Sequence, residues 1–360
     1  MIRVLHLRQG RGLYGADRAV LALTAATPQP YAAIVGAIVR PGDSAALAGE
    51  AERRGLPAVV FESASRFDLR CARDVARAVR ERGVRLLHAH DFKALFVAVV
   101  AGLLARVPVV ATFHGDTRSS RAVRVYEAVA RTLANFTRGA VAVSRPLWRT
   151  LRRWVRAAPV EFVPNALPPV QPVSATERAR AREQRGVAKF CVVIIGRLAP
   201  EKGHRVLFEA MRGLDATLLV AGDGPLRDEL QAAAAGLDAR FLGYLDDARE
   251  VFAAADVVAI PSLREGLPLV ALEAIALGRC VIASAVGELP ELLAEGAGLL
   301  VPPGDAAALS EALRRLQNGE AFAREAVARR ALERLRRYDV AAMAGSYASL
   351  YGRALSSSSR

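Results

Sequence analysis

Two basic side chains in a glycine-containing turn could bind one anion together. Arg197 and Lys202 follow Gly196, which comes directly after the apolar run 190–195. Glycine permits a tight turn and lets a ligand approach the backbone. A guanidinium and an ammonium that converge there could hold a diphosphate and stabilise its charge as it leaves. We therefore predict an anion site in this turn, with two solvated side chains as the alternative.

A second set of residues that could bind a ligand surrounds the start of a helix. Pro268 suits the first turn of a helix, where its missing N–H is not needed. The N–H groups of Gly266 and Leu267 would then point outward from the helix start, an arrangement that binds anions. Glu265 precedes them, and Glu273 stands inside the apolar helix, where its carboxylate needs a partner. We predict that Glu273 binds ligand hydroxyls, with a structural hydrogen bond to a neighbouring loop as the alternative.

A third pattern suggests a different chemistry. Gly10, Gly12 and Gly15 form the G-x-G-x-x-G spacing of dinucleotide-binding turns after the first apolar run. The acidic residue expected at the end of the second strand is absent, and Arg40 stands there instead, which could suit a 2′-phosphate. No hydride-transfer site follows. We favour a glycine-rich turn beside some other ligand and keep an NADP-dependent oxidoreductase as a minor alternative.

The apolar runs of the sequence indicate the elements that must hold these residues. In the first half, short runs of strand length stand at 2–7, 32–39, 57–61, 84–88, 108–112 and 139–143. In the second half, they stand at 190–195, 216–221, 239–242, 257–260, 280–283 and 298–301. Helical patterns separate them, which predicts parallel sheets covered on both faces. A proline-rich break over 164–190 predicts a hinge between two doubly wound α/β domains.

The positive charge of the chain is confined to its first half. Residues 1–165 hold 26 Lys and Arg against 12 Asp and Glu, whereas residues 166–360 hold 24 of each. A biased genome would spread the excess over both halves, so we predict a surface for an anionic partner such as a phospholipid leaflet or a phosphorylated glycolipid. We expect no nucleic acid partner, because stacking aromatics are not interleaved with the basic residues.

The remaining composition suggests a cytoplasmic protein. Cys71, Cys191 and Cys280 are isolated and lack metal-ligand spacing, so we expect reduced core residues. No run is long and apolar enough for a spanning helix, and charge interrupts the first residues too soon for a signal peptide. We expect a cytoplasmic protein that can also lie peripherally at the inner face of the cell membrane.

Two weaker signals have more than one interpretation. His88 and His90 lack a third metal ligand nearby in the sequence, so we predict a structural or acceptor-side role at a strand end for them. The segment 146–156 places two tryptophans and apolar residues against four arginines. Such an amphipathic basic helix could lie in a membrane interface, and it could equally bury its apolar face in the first domain.

Motifs over nearly the whole chain resemble one enzyme family. The second half contains Gly196-Arg-Leu-Ala-Pro-Glu-Lys-Gly203, Gly222-Asp-Gly-Pro225 and Glu265-Gly-Leu-Pro-Leu-Val-Ala-Leu-Glu273-Ala274. The first half contains Gly15-Ala-Asp-Arg18, His88-Ala-His90-Asp91, Thr112-Phe-His114-Gly115 and Val163-Pro-Asn165-Ala166. In this order and spacing, the motifs resemble those of the family 4 (group 1) retaining glycosyltransferases.

The resemblance implies a GT-B fold, an α/β architecture in which two doubly wound Rossmann-like domains face a central cleft. On this basis we predict an N-terminal acceptor-side domain over 1–165 and a linker over 166–188. A nucleotide-sugar-binding domain follows over 189–338, and a C-terminal helix over 339–360 packs back toward the N-terminal domain.

The resemblance also assigns roles to residues. The implied catalytic residues are His114, Glu265, Arg197 and Lys202. The implied donor-binding residues are Gly15, Arg197, Lys202, Leu242, Tyr244, Leu245, Glu265, Gly266, Leu267, Pro268 and Glu273. Within this set the two cations bind the diphosphate, Glu273 accepts the ribose hydroxyls, and Glu265 contacts the transferred sugar. His114 faces that sugar from the first domain.

The implied reaction is transfer of a sugar from a UDP- or GDP-sugar to a hydroxyl of a saccharide or glycolipid, in cell-envelope polysaccharide or lipopolysaccharide synthesis. The family retains anomeric configuration, and a leaving phosphate oxygen takes the acceptor proton. No Asp-x-Asp occurs, so we expect no metal and no cofactor. A nucleotide-sugar epimerase of the same fold is the alternative. Tyr14 and Asp17 depart from the family pattern, and we expect them to alter the fit of the donor or the acceptor.

Overall fold

The chain folds into two compact units, each of which is described by itself. The structure is a computed structural model that describes residues 1–10, 12–65, 67–115, 128–319 and 321–356. One unit comprises Met1–Leu167 and Tyr338–Arg360, and the other comprises Pro168–Arg337.

The first unit is built on a seven-stranded parallel sheet of order β3-β2-β1-β4-β5-β6-β7. Its strands are β1 Ile2–Gln9, β2 Tyr31–Val39, β3 Ala58–Glu62, β4 Val84–Ala89, β5 Val109–Phe113, β6 Gly139–Ala142 and β7 Val160–Phe162. The sequence missed β7, an edge strand of three residues. An edge strand this short pairs on one side only and carries no apolar run of the usual length.

The second unit is built on a six-stranded parallel sheet of order β10-β9-β8-β11-β12-β13. Its strands are β8 Phe190–Ile195, β9 Ala216–Ala221, β10 Asp238–Gly243, β11 Val257–Ile260, β12 Cys280–Ser284 and β13 Leu299–Val301. In both sheets the strand order reverses beside the first strand, and ligands of such sheets bind at the carboxyl edge near that point. The predicted doubly wound α/β architecture is therefore confirmed.

Helices cover both sheets. In chain order they are α1 Gly15–Ala26, α2 Ala46–Arg53, α3 Leu69–Glu81, α4 Phe92–Ala105, α5 Arg145–Trp154, α6 Ala175–Gln184, α7 His204–Met211, α8 Arg227–Ala233, α9 Arg249–Ala254, α10 Leu269–Ala276, α11 Leu289–Leu292, α12 Ala306–Asn318, α13 Ala321–Leu335 and α14 Val340–Ser356. Within the described ranges, no helix has both the length and the apolar content needed to cross a bilayer.

Apolar spacing along each helix determines which face is buried. In α3, Cys71, Val75 and Val79 recur at helical spacing and are buried in the core of the first unit. Asp68 begins this helix, because its carboxylate accepts hydrogen bonds from the N–H groups of Arg70 and Cys71. The three cysteines are buried and form no disulfide, which agrees with their prediction as core residues.

The last helix, α14, belongs to the first unit. Its residues Met343, Tyr347 and Tyr351 are buried in one cluster with Val4 of β1 and Val110 of β5. The first unit therefore contains both the first strand and the last helix of the chain. These tyrosines bring hydroxyl groups into an otherwise apolar region, where each needs a hydrogen-bond partner.

Candidate active site

The loops after β8 and β11 bring two of the predicted catalytic residues together. Nζ of Lys202 donates to Oε1 of Glu265 at 2.6 Å, and the hydroxyl of Ser262 donates to the same oxygen at 2.8 Å. The Glu265 side chain is 10% exposed and that of Lys202 is 26% exposed. The ion pair is therefore partly shielded from water but open on one side, as a ligand-binding pair must be.

Arg197 does not join this ion pair. Its guanidinium donates to the carboxylate of Glu201 instead, and its side chain is 44% exposed. The two cations therefore lie on one loop with separate carboxylate partners. A side chain this exposed can rotate toward a ligand at little cost, since surface ion pairs of this kind contribute about 0–1 kcal/mol.

Glycines allow these loops to touch each other. Gly203 has a φ of +69°, and a Cβ there would lie 2.0 Å from the carbonyl oxygen of Pro261. At Gly287, with a φ of +61°, a Cβ would lie 2.3 Å from the carbonyl oxygen of Gly266 and 2.5 Å from that of Glu265. Any larger residue would force the loops apart, because L-residues avoid positive φ and the space is occupied by backbone.

The loop at Gly287 was not among the predicted site residues. The N–H of Glu288 donates to the carbonyl oxygen of Gly266 at 2.8 Å, so this loop supports the segment that leads into α10. In the sequence, the signal for this role is Gly287 itself, since glycine suits a turn at positive φ. We assign Gly287 a supporting role that tertiary contact alone reveals.

The start of α10 differs slightly from the prediction. Pro268 is the N-cap residue, directly before the first helical residue, Leu269. It makes no side-chain hydrogen bond to the start of the helix. Gly266 and Leu267 are buried next to it. Glu273 lies within α10 and is half-buried, so its carboxylate is not sealed in an apolar environment as its neighbours suggested.

Three further predicted donor-binding residues, Leu242, Tyr244 and Leu245, lie on the same edge of the second sheet. Leu242 and Leu245 are half-buried, and Tyr244 is 41% exposed. They flank the end of β10, where the carbonyl oxygen of Gly243 accepts from the N–H of Gly222 at 2.7 Å. Because β10, β9, β8 and β11 are neighbours, their carboxyl-end loops form one continuous surface.

In the first unit, Gly15 begins α1 with open space beside it. A Cβ at Gly15 would meet no described atom within 4 Å, which leaves room for a ligand. Gly12 and Gly10 differ from it, because a Cβ would meet the Tyr14 ring at 2.8 Å and the Leu47 side chain at 3.1 Å, respectively. Packing therefore explains two glycines of the nucleotide-like pattern without a dinucleotide.

Asp17, a departure from the family pattern, is buried in an ion pair. It accepts from Nε of Arg8 at 2.9 Å and from the N–H of Tyr14 at 3.0 Å. Burial raises the pKa of Asp17, and Arg8 opposes that shift. Burial also disfavours the charge of Arg8, but Asp17 and Asp91 outweigh it and raise the pKa of Arg8. Asp17 therefore has a structural role in the interior of the first unit.

His114 follows β5 and is half-buried. Its Nε2 lies 3.3 Å from Nδ1 of His90, and Nε2 of His90 lies 3.0 Å from Nδ1 of His6. Burial lowers the pKa of His114 to about 3, with a further contribution from Arg8. Burial therefore favours the neutral imidazole of His114, which offers one N–H donor and one nitrogen acceptor.

His88 and His90 have no third metal ligand nearby in the sequence, but His6 lies next to them in the fold. One ring nitrogen from each of the three histidines lies within 4.8 Å of the other two. However, Nδ1 of His88 lies 2.8 Å from the hydroxyl of Tyr351, and its Nε2 lies 2.8 Å from the hydroxyl of Thr112. Both ring nitrogens of His88 already have hydrogen-bond partners, so the three histidines fit a buried polar network better than a metal centre.

Comparison with known proteins identifies the family. A family model described as "Glycosyl transferases group 1" matches residues 189–318, and one described as "Glycosyltransferase Family 4" matches residues 18–170. The chain is 34% identical over 293 residues to the phosphatidyl-myo-inositol mannosyltransferase of Mycobacterium leprae (strain TN), covering 76% of this chain and 75% of that protein. The chain belongs to glycosyltransferase family 4. This membership removes the support for a nicotinamide enzyme.

Solved structures of similar proteins establish the GT-B fold of this family 4 member. The complex of Anabaena HepE with UDP and glucose has a TM-score of 0.87 and 25% identity, covering 98% of this chain and 100% of that one. Sucrose-phosphate synthase from Thermosynechococcus elongatus has a TM-score of 0.78 at 22% identity, covering 99% of this chain and 100% of that one, and shows the fold alone.

Proposed function

We propose that this family 4 glycosyltransferase moves a sugar from a UDP- or GDP-sugar to a hydroxyl of a saccharide or glycolipid, with retention of configuration and without a metal. The observation that carries the proposal is the ion pair of Lys202 and Glu265, held at 2.6 Å at the carboxyl edge of the second sheet. Similar proteins support the transfer of a sugar from a nucleotide donor. HepE was solved with UDP-glucose, and several relatives are named mannosyltransferases.

Lys202 and Arg197 are proposed to bind the donor diphosphate. The ammonium of Lys202 has a fixed position beside Glu265, while the more exposed Arg197 can leave Glu201 and turn toward the second phosphate. As the glycosidic bond breaks, negative charge grows on the diphosphate. The ammonium of Lys202 is already oriented, so it can stabilise that charge without further reorganisation.

The glutamates are proposed to orient the donor rather than to attack it. Glu265 contacts the transferred sugar, assisted by N–H groups of Gly266 and Leu267, and Glu273 accepts the ribose hydroxyls. Oε1 of Glu265 already accepts from both Lys202 and Ser262, which makes this carboxylate a weak nucleophile. The acceptor hydroxyl then gives its proton to the departing phosphate, and no second carboxylate is needed as in hydrolases.

The acceptor is proposed to be a saccharide on a lipid or envelope precursor, met by a cytoplasmic protein at the inner face of the membrane. The positive excess of residues 1–165 supports this. In α5, Leu147 and Leu151 are buried and Nε1 of Trp148 donates to the Val160 carbonyl oxygen, so most of the apolar face packs inward. Trp154 of the same helix is 53% exposed and could enter a bilayer interface.

Exposed arginines of α5 are expected to bind anionic vesicles. Reversing the charge of the exposed Arg149 and Arg153 should weaken binding to vesicles containing phosphatidylserine by about tenfold or more, since each basic residue near such a surface contributes about 1 kcal/mol. Sedimentation with vesicles at moderate salt measures this. The matched control reverses Arg212 and Arg314, which are exposed on the second unit. Equal binding of the unmodified protein to anionic and neutral vesicles would contradict the membrane proposal.

Nucleotide binding provides the direct test of the donor site. We expect UDP or GDP to raise the melting temperature, and ADP and NADPH to leave it unchanged. A ligand that binds only the folded state adds about 2.7 kcal/mol at 100 times its dissociation constant, which a thermal shift detects. The nucleotide that stabilises the protein names the donor base. Stabilisation by NADPH alone would overturn the transferase proposal.

A further inference from the structure

The amino edge of the first sheet carries an excess of exposed arginines. The strands of this sheet are parallel, so the segments that lead into β4, β5, β6 and β7 all reach this edge. These segments are 80–85, 103–108, 134–138 and 154–159. Together they hold one acidic residue, Glu81, and six arginines, all exposed: Arg80, Arg82, Arg85, Arg106, Arg138 and Arg156. Within the described ranges, none of the six pairs with a carboxylate.

Large apolar side chains are exposed on the same segments. Leu103 is 73% exposed, Phe136 is 67% exposed and Trp154 is 53% exposed. Leu104, next to Leu103, is 46% exposed. Single exposed apolar residues are ordinary, but a group of them on one face among unpaired cations indicates an interaction surface. We refer to these four apolar residues and the six arginines as the amino-edge face.

Hydrogen bonds between the four segments hold this face together. The guanidinium of Arg80 donates to the carbonyl oxygen of Leu104 at 2.5 Å, which joins the ends of α3 and α4. The N–H of Arg138 donates at 2.7 Å to the carbonyl oxygen of the first residue of β5. The side-chain amide of Asn135 donates to the carbonyl oxygen of Trp154 at 3.3 Å, at the end of α5. Since neighbouring strands lie about 4.8 Å apart, four adjacent strands spread the face over about 15 Å.

The second unit shows that this excess does not come with the architecture. The segments that lead into its six strands are 185–189, 212–215, 234–237, 255–256, 277–279 and 294–298. They hold four basic and three acidic residues, and two of the basic residues, Arg185 and Lys189, have carboxylate partners. Within the described part of the chain, no large apolar side chain on these segments is exposed. Two units of one architecture therefore differ at the same edge, which indicates a function for the amino-edge face.

We propose that the amino-edge face docks on an anionic bilayer, with its arginines at the lipid phosphates and with Leu103, Phe136 and Trp154 in the headgroup region. Charge complementarity supports this occupant, because guanidinium groups match phosphate oxygens and aromatic side chains favour the membrane interface. A second copy of this chain fits poorly, since a two-fold contact through this face would place the six arginines of each copy against those of the other.

Docking at this face determines where the opposite edge of the same sheet points. Gly15 and His114 follow the carboxyl ends of β1 and β5, so they lie at the far edge from the bilayer. The five residues of β5 alone span about 15 Å. The next consequence rests on the proposed function: an acceptor that reaches this edge is a saccharide that extends from the membrane, and not the headgroup of a lipid.

Sedimentation of the whole protein with vesicles of phosphatidylserine and phosphatidylcholine tests the face. Each basic residue near an anionic surface contributes about fivefold to binding, so Arg85→Glu combined with Arg138→Glu should weaken binding by about 30-fold or more. Leu103→Ser combined with Phe136→Ser keeps the charge and should weaken binding by about tenfold, because apolar contact with the headgroup region is lost.

The matched control is Arg212→Glu combined with Arg314→Glu, which reverses two exposed charges on the second unit and should bind vesicles as the parent protein does. Full vesicle binding by the Arg85→Glu and Arg138→Glu variant would overturn the proposal. So would equal binding of the parent protein to anionic and neutral vesicles, which would leave an acidic protein as the partner of this face.

The fluorescence of Trp154 reports the contact directly. The chain has two tryptophans, so Trp148→Phe leaves Trp154 as the only one. We expect anionic vesicles with brominated acyl chains to quench its emission. Bound protein with unquenched emission would place the bilayer on another face and refute the proposal. The proposed function fails separately: if Trp154 is quenched but the enzyme transfers sugar from neither UDP- nor GDP-sugars, the docking face stands and the assigned reaction does not.

Discussion

Lowering the pH from 7 to 5 is expected to destabilise the folded protein by several kcal/mol. The chain has five histidines, and burial, the largest cause in each case, lowers the pKa of all of them in the folded state. An unfolded histidine takes up a proton near pH 6.5, whereas these native histidines stay neutral. A depressed native pKa therefore makes stability fall as pH falls below 6.5.

The expected size follows from the number of fully buried groups. Each such histidine lowers the free energy of unfolding by about 1.4 kcal/mol per pH unit below 6.5, or by about 2 kcal/mol at pH 5. His6, His88 and His90 are at most 2% exposed, so they alone give a loss on the order of 6 kcal/mol. Most carboxylates of an unfolded chain titrate below this range, near pH 4, so histidines dominate the slope.

Denaturant unfolding at pH 7.5, 6 and 5 measures the effect. His204 offers a single-site control, because it is buried in the second unit with both ring nitrogens unpartnered among the described residues. Burial lowers its pKa to about 4. His204→Leu should reduce the proton uptake on unfolding of that unit by about one. A stability that is constant from pH 7 to 5 would show that the native histidines are protonated or open to water.

Lys202→Ala is expected to lower kcat/KM by about 100- to 1,000-fold, the usual effect of removing one oriented group that stabilises a leaving charge. The fold should persist, because Gly203 and Pro261 set the path of the loop through backbone contact and the Lys202 side chain does not. Loss of the ammonium leaves Glu265 with Ser262 as its remaining described partner, so a moderate fall in melting temperature is also expected.

Initial rates with the donor identified by thermal shift measure this effect. The matched control is Lys189→Ala, because Lys189 forms an exposed ion pair with Asp215 at 2.5 Å on the same unit. That variant should keep kcat/KM within about twofold, since exposed pairs contribute little. Full activity of Lys202→Ala would remove Lys202 from the diphosphate site and, with it, the main support for the proposed donor geometry.

The sequence alone determined the class of fold and the family. The runs 190–195, 216–221 and 257–260 coincide with β8, β9 and β11, because a parallel strand buried on both faces needs a continuous apolar stretch. The motifs that contain Lys202 and Glu265 are local, so their order and spacing could be compared with a family directly. A short strand such as β7 has neither a continuous apolar run nor a local motif.

The tertiary structure alone decided which side chains meet. Lys202 pairs with Glu265, and Arg197 pairs with Glu201. The sequence places both cations in one loop and predicts that they bind one anion together. His6, His90 and His114 contact one another although they come from β1 and from the segments that follow β4 and β5. These contacts depend on the order of strands in a sheet, which is set by packing of the whole unit and not by any local pattern of residues.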